Sequence, residues 1–267
     1  MLRAWICFVA WLRQQKVNRN KLIMNLIIDI GNTRAKVAVF SCGELVESFI
    51  VEPLTREWID ELLVKYPDVN QAIVSSTRGN IDEVVAMLDG VVGYVVGFKP
   101  GITPIPIGND YHTPLTLGAD RLAAAVGGVA LHPASDLLII DLGTAITVDY
   151  VENGSFKGGN ISPGVTTRLR ALADYTAKLP LCSPTYDVLE YGRTTQEAIE
   201  QGVMRGVEHE IQGYIDGFSK KNGKKCIIFT GGEAKYFVKR IKNTIFADCE
   251  PVFFGLNAIL EYNAEKQ

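Results

Sequence analysis

The chain has 267 residues, of which 47% are apolar and 21% charged, and a net charge of −3. That is enough for one large domain or two of roughly 130 residues, each with a proper core. With no basic run in the body of the chain, nucleic acid is a poor partner. The five cysteines (Cys7, Cys42, Cys182, Cys226, Cys249) are scattered and show no Cys-x-x-Cys spacing, which argues against a disulfide framework or structural zinc and favours a reducing cytoplasm. The three histidines lie too far apart in sequence for a local metal motif.

Residues 1–23 differ in character from the rest of the chain. Ala4 to Leu12 is apolar and aromatic between basic residues, too short to span a bilayer and without a small-x-small cleavage site. A membrane-surface helix and a start codon assigned too early (Met24 stands directly before the first core strand) are both open; either way 1–23 is expected to lie outside the fold.

Leu26-Ile27-Ile28-Asp29-Ile30-Gly31-Asn32-Thr33 recurs as Leu138-Ile139-Ile140-Asp141-Leu142-Gly143-Thr144-Ala145, at a constant offset of 112 residues between Asp29 and Asp141. Each copy continues into a second strand-like run and a Gly turn (Cys42-Gly43-Glu44, Asn153-Gly154-Ser155), the pattern strand, turn, strand, turn, strand. A carboxylate ending a buried strand, with a glycine two residues on, suits a turn that phosphate oxygens and a metal approach closely. One such turn alone is better explained by a plain hairpin. Two in matching frames favour two related halves that clamp a nucleotide's phosphates.

After three strands the first half predicts a helix over 55–65, a strand over 71–76, a helix over 80–88 and a strand over 91–96, which is an α/β alternation. Ser75-Ser76-Thr77-Arg78 ends a strand in hydroxyls that fit either a site or a loop. The connection from Phe98 to Leu117 carries four prolines and Tyr111, and long connections of this kind are usually functional. It opens into Gly118-Ala119-Asp120-Arg121 and then a run of alanines and glycines, a helix that must pack closely against its neighbours. Asp120 and Arg121 in its first turn could favour an anionic ligand, or could be a cap and a solvated arginine.

In the second half, Pro163-Gly164 opens a helix to about Thr176, and Thr194 with Glu197 forms a capping box that leaves Thr195 free. The following helix holds Gly202, Gly206, Gly213 and Gly217. Each glycine inside a helix costs roughly 1 kcal/mol relative to alanine, so a close helix contact is expected, either internal or between subunits. Thr230-Gly231-Gly232 ends a strand, with Glu233 expected to start a helix. A strand over Thr244–Ala247 and a helix over 253–263 close the chain.

Together these residues resemble the superfamily of acetate kinase, sugar kinases, heat-shock chaperone ATPases and actin, and within it the type III pantothenate kinases, over Met24 to Tyr262. Asp29-Ile30-Gly31-Asn32-Thr33 and Asp141-Leu142-Gly143-Thr144-Ala145 match the two phosphate motifs. Gly118-Ala119-Asp120-Arg121 is the most specific signature, and Gly158-Gly159-Asn160-Ile161-Ser162-Pro163-Gly164 and Thr230-Gly231-Gly232 also fit.

The resemblance implies an α/β fold of two duplicated ribonuclease H-like halves (24–117 and 118–267) with a nucleotide cleft between them. It implies ATP-dependent phosphorylation of pantothenate in coenzyme A biosynthesis, with ATP, Mg2+ and a monovalent cation (K+ or NH4+), by a cytoplasmic homodimer without nucleic-acid or membrane partners. By similarity Asp120 is the general base, and pantothenate is held by Tyr111, Gly118, Ala119, Asp120, Arg121 and Thr195. ATP is met by Asp29, Ile30, Gly31, Asn32, Thr33, Arg34, Ala35, Lys36 and Thr144, and the monovalent cation by Asp141. The chemistry agrees, since in-line phosphoryl transfer needs positioning, charge neutralisation and a base near the acceptor hydroxyl. A kinase of another small hydroxyl compound, a nucleotide-binding regulator and an ATP-driven switch fit less well. The chain has no basic patch or DNA-binding helix pair, and no room for a peptide-binding domain.

Overall fold

The computed structural model describes residues 24–31, 34–79, 81–220, 222–237, 240–241 and 250–266. The 1–23 extension, Asn32, Thr33, Asn80 and the strand expected over Thr244–Ala247 lie outside them.

Contacts group the described residues into two units, one formed by those from Met24 to Ala134 with 153–157 and 250–266, the other by 135–152 and those from 158 to 241. The first is built on β1 (Met24–Ile30), β2 (Ala35–Ser41), β3 (Glu44–Val51), β4 (Val69–Ser76) and β5 (Tyr94–Gly97), in the order β3-β2-β1-β4-β5. β1 pairs antiparallel with β2 and parallel with β4. Leu26, Ile27 and Ile28 of β1 are all fully buried, the mark of a strand covered on both faces. Helix α1 (Arg56–Lys65) is capped by Thr55, whose Oγ1 accepts from Trp58 N–H, and buries Ile59 and Leu62 with β1 and β4; α2 is Asp82–Leu88.

The long 98–117 connection is ordered by β6 (Gly108–Asn109) and a 3-10 turn at Pro114–Thr116. It leads into α3 (Ala119–Leu131), which is buried almost throughout. Its partner in the first unit is α6 (Pro251–Ala264). A Cβ on Gly127 would overlap Pro251 O and stand 2.7 Å from Gly255 N, so the two helices meet backbone to backbone. The expected close packing of the small-residue helix is present.

The second sheet runs β10-β7-β8-β9-β6, with β7 (Asp136–Leu142), β8 (Ala145–Glu152), β9 (Ser155–Pro163) and β10 (Lys225–Thr230). Antiparallel β7–β8 and parallel β10–β7 repeat the arrangement around β1, so the two halves are ribonuclease H-like copies. Even the second turns correspond, with Cys42-Gly43 and Asn153-Gly154 all at positive φ. The first turns differ by one residue. Asp29 stands opposite Lys36, seven positions on, whereas Asp141 stands opposite Thr147, six on.

Helices α4 (Val165–Asp174) and α5 (Thr195–Ser219) complete the second unit around Leu138, Ile140, Met204, Val207 and Ile211. One expectation changes here, and of the two contacts open to the α5 glycines the internal one is not made. Glu233 precedes only a single 3-10 turn, Ala234–Tyr236. No atom lies within 4 Å of a Cβ placed on Gly202, Gly206, Gly213 or Gly217, so that glycine face of α5 packs against nothing among the described residues.

Candidate active site

In the first unit the strand pairing sets Asp29 between Lys36 on β2 and Ser75 on β4. The Asp29 side chain is buried, and neither its Oδ1 nor the Ser75 hydroxyl has a partner of hydrogen-bonding geometry. Burial first, and then the charge of Asp120, push the Asp29 carboxyl up to about 6; Glu250 adds to the rise, while Lys36 and Ser75 oppose it. A buried acid with an unused oxygen and an acidic neighbour is built to receive a cation or a cation-bearing ligand.

Lys36 is held by Glu250, the residue directly before α6, at 2.8 Å. Around it Ile30 and Gly31 are half-buried, Ala35 is buried and Arg34 is exposed. The Gly31 N–H closes the turn onto Arg34 O at 3.1 Å.

Asp120 reaches the same electrostatic neighbourhood from the first turn of α3. It is half-buried, and its Oδ1 accepts the Arg121 N–H at 2.8 Å. Gly118 makes room for this, because a Cβ there would lie 2.6 Å from that oxygen; Ala119 beside it is buried. Arg121 is buried, with its guanidinium carbon 6.0 Å from the Tyr111 ring centre and 5.9 Å from that of Phe156. Two aromatic rings beside one guanidinium help to hold it in place. Thus Asp29, Lys36, Tyr111 and Gly118–Arg121 come together in one unit, with Glu250 and Phe156 as members that sequence reading missed. Neither stands in a motif; Phe156 is marked only by following the Asn153-Gly154 turn.

In the second unit β7 delivers Asp141 to the turn Leu142-Gly143-Thr144. The Thr144 carbonyl accepts from Gly164 N–H at 3.0 Å and from Thr167 Oγ1 at 2.6 Å, and the Thr144 side chain is exposed. Leu142 O accepts from Glu233 N–H at 2.8 Å. Gly231, at φ +93°, leaves the carboxylate side of this turn open, since a Cβ there would collide with Asp141 Oδ1 and stand 2.5 Å from Leu142 O. Carboxylate and carbonyl oxygens beside bare backbone suit a hard cation. Among the described residues there is no group of three His, Cys, Asp or Glu side chains able to hold a metal ion.

Thr195 is the exposed first residue of α5, freed as expected by the capping box in which Thr194 Oγ1 accepts from Glu197 N–H at 3.2 Å. Glu233 was not foreseen as a site residue; its carboxylate accepts from Val165 N–H, Thr166 N–H and Thr166 Oγ1 at 2.9, 3.0 and 2.6 Å.

This chain is similar to known proteins. A family model described as type III pantothenate kinase matches residues 25–217. Proteins described by the same words are similar over nearly their whole length. That of Phocaeicola vulgatus is 42% identical, covering 90% of this chain and 99% of the relative; that of Bacteroides fragilis (strain ATCC 25285) is 42% identical, covering 90% and 98%. Among solved structures, the activator of 2-hydroxyisocaproyl-CoA dehydratase from Clostridium difficile with bound ADPNP is similar at a TM-score of 0.53 and 15% identity, over 91% of this chain and 97% of that one. The Alp12 filament structure is similar at 0.51 and 11%, over 92% and 99%. At such identities these two speak for the actin-like fold alone. By its sequence relatives and the matched family model, the chain belongs to the type III pantothenate kinase family.

Proposed function

We propose that Asp120 is the general base of this type III pantothenate kinase, which transfers the γ-phosphoryl group of ATP to pantothenate and gives 4'-phosphopantothenate for coenzyme A biosynthesis. The observation that carries the assignment is the position of Asp120. Its half-buried carboxylate sits at the start of a closely packed helix, beside the buried Arg121 and near enough to Asp29 for its charge to act there. Asp120 takes the proton of the primary hydroxyl as the oxygen attacks phosphorus, a role worth about 10²–10⁴-fold in rate. Arg121, held by Tyr111 and Phe156, binds the pantothenate carboxylate, and Gly118, Ala119 and Thr195 line that substrate.

Asp29 to Lys36 and Thr144 meet the Mg-ATP phosphates, and Asp141 holds potassium or ammonium. These ions would neutralise charge gathering on the transferred group. The exposed glycine face of α5, with exposed Tyr175, Leu181, Tyr186, Val188 and Tyr191, supports a homodimer. Among the described residues no helix is long and apolar enough to cross a membrane. The scattered cysteines support a cytoplasmic enzyme, the charge balance argues against a nucleic-acid partner, and the repeat supports halves at 24–117 and 118–267.

The test is ADP release with Mg-ATP, potassium and pantothenate by the wild type and by Asp120→Asn. Pantothenate-dependent turnover that needs potassium, and a fall of about 10²-fold or more in kcat for the variant, is the expected result. Equal rates would remove Asp120 from its role. Turnover that ignores pantothenate would overturn the substrate assignment.

A further inference from the structure

We infer that Glu233 is a positioning residue for the nucleotide, locking the Asp141–Thr144 turn by tying the start of α4 to the Gly231-Gly232 turn. The inference rests on reading Asp141–Thr144 as the turn that meets the ATP phosphates and the monovalent cation.

Glu233 touches two segments at once. Its main-chain N–H donates to Leu142 O inside the turn, at 2.8 Å. Its carboxylate spans the first turn of α4, taking both Val165 N–H and Thr166 N–H together with the Thr166 hydroxyl. α4 in turn holds the far end of the same turn, through Gly164 N–H and Thr167 Oγ1 on Thr144 O. The Asp141–Thr144 segment is therefore fixed at Leu142 from one side and at Thr144 from the other, and the Glu233 side chain joins the two supports.

A local cap would serve α4 as well as this distant one does, because satisfying free N–H groups at a helix start needs only a side chain at the N-cap. Here the N-cap is Gly164, whose missing Cβ would overlap Gly143 O and stand 2.9 Å from Thr144 O. Close approach of α4 to the turn thus excludes a capping side chain at the N-cap, and a carboxylate from 68 residues away supplies it instead. Charge-assisted bonds to a helix N-terminus are among the stronger ones. With its carbonyls engaged behind it, the turn keeps the Thr144 side chain on the exposed side.

The test uses Glu233→Ala, Glu233→Gln and Thr166→Val in the full chain, with Thr55→Ala as a cap loss in the other unit. The readouts are the Kd of Mg-ATP by calorimetry, the KM values of ATP and pantothenate, and the melting temperature. Glu233→Ala is expected to weaken Mg-ATP on the order of tenfold with the pantothenate KM within about twofold, and Thr166→Val, which keeps both main-chain donors, on the order of twofold. Thr55→Ala should lower the melting temperature and leave the Kd of Mg-ATP unchanged.

A folded Glu233→Ala protein with wild-type ATP affinity overturns the inference, as does a loss of affinity in Thr55→Ala as large as that in Glu233→Ala. Should the alanine variant not fold, Glu233→Gln and Thr166→Val decide by the same Kd. Absence of pantothenate turnover in the wild type would overturn the proposed function instead, and the Kd comparison would still decide the role of Glu233.

Discussion

Gly127 on α3 and Gly255 on α6 meet with no side chain between them. A Cβ on Gly255 would overlap Ala123 O and lie 2.8 Å from Gly127 N. The contact matters to the site because α3 carries Asp120 and Arg121 in its first turn, and α6 begins directly after Glu250, the partner of Lys36.

Gly255→Ala should therefore destabilise the protein by about 3 kcal/mol, the upper end of the overpacking range, because main chain rather than a flexible side chain must move. Gly206→Ala on the open face of α5 has the opposite expectation within one chain, a gain of about 1 kcal/mol from helix propensity. Chemical denaturation of both variants checks this. A loss of dimer in Gly206→Ala, monitored by sedimentation, would assign that face to the subunit interface.

Asp29 gives a pH dependence whose sign is set by its shift. Its carboxyl in the folded protein, at about 6, lies above the ordinary 3.8, so the folded state holds the proton more tightly than the unfolded chain. The stability it contributes is complete below pH 3.8 and is lost as pH rises through about 6. A gap of this size corresponds to about 3 kcal/mol at most. Asp29→Asn should stabilise the ligand-free protein at pH 8, much less at pH 5, and weaken Mg-ATP binding. Denaturation midpoints at the two pH values read the first effect, and an unchanged difference between variant and wild type across them would contradict it.

The two Asp-x-Gly turns, the Gly118–Arg121 helix start and the Thr194 capping box were legible because each is a local pattern in which one strand end or helix turn dictates the residue types. The glycines of α3 announced a close approach, but nothing in the sequence named Gly255 as its partner, more than a hundred residues away. The glycines of α5 look the same in sequence and face open space. Glu233 was hidden for the same reason, since a carboxylate that caps a helix across 68 residues leaves no periodic trace.

Arg121→Lys tests the aromatic seat. Lysine keeps the charge but not the broad guanidinium that Tyr111 and Phe156 flank, and a cation beside aromatic rings is worth about 1–2 kcal/mol. The pantothenate KM should rise roughly 5- to 30-fold with the KM of ATP little changed. Phe156→Leu should give a smaller rise of the same kind, whereas an equal effect on both substrates would mean the unit has lost its fold rather than its grip on one ligand.

Glu261, far along α6 from the site, tests burial without catalysis. Its Oε1 accepts from Asn257 Nδ2 at 3.0 Å and from Asn25 Nδ2 at 3.3 Å, while the buried Asn25 Oδ1 has no partner. Burial, with help from the charge of Glu265, pushes the Glu261 carboxyl up to about 7 against the two amide bonds, from an ordinary 4.5. The sign is that of Asp29, so its stabilising effect is complete below pH 4.5 and lost as pH rises through about 7. Glu261→Gln keeps the carbonyl acceptor, removes the charge and brings an N–H able to serve Asn25 Oδ1. It should raise stability at pH 8 by up to about 3 kcal/mol, change little at pH 5 and leave kcat as in the wild type. A variant no more stable at pH 8 than the wild type would mean that the ionised carboxylate is better solvated than its burial indicates.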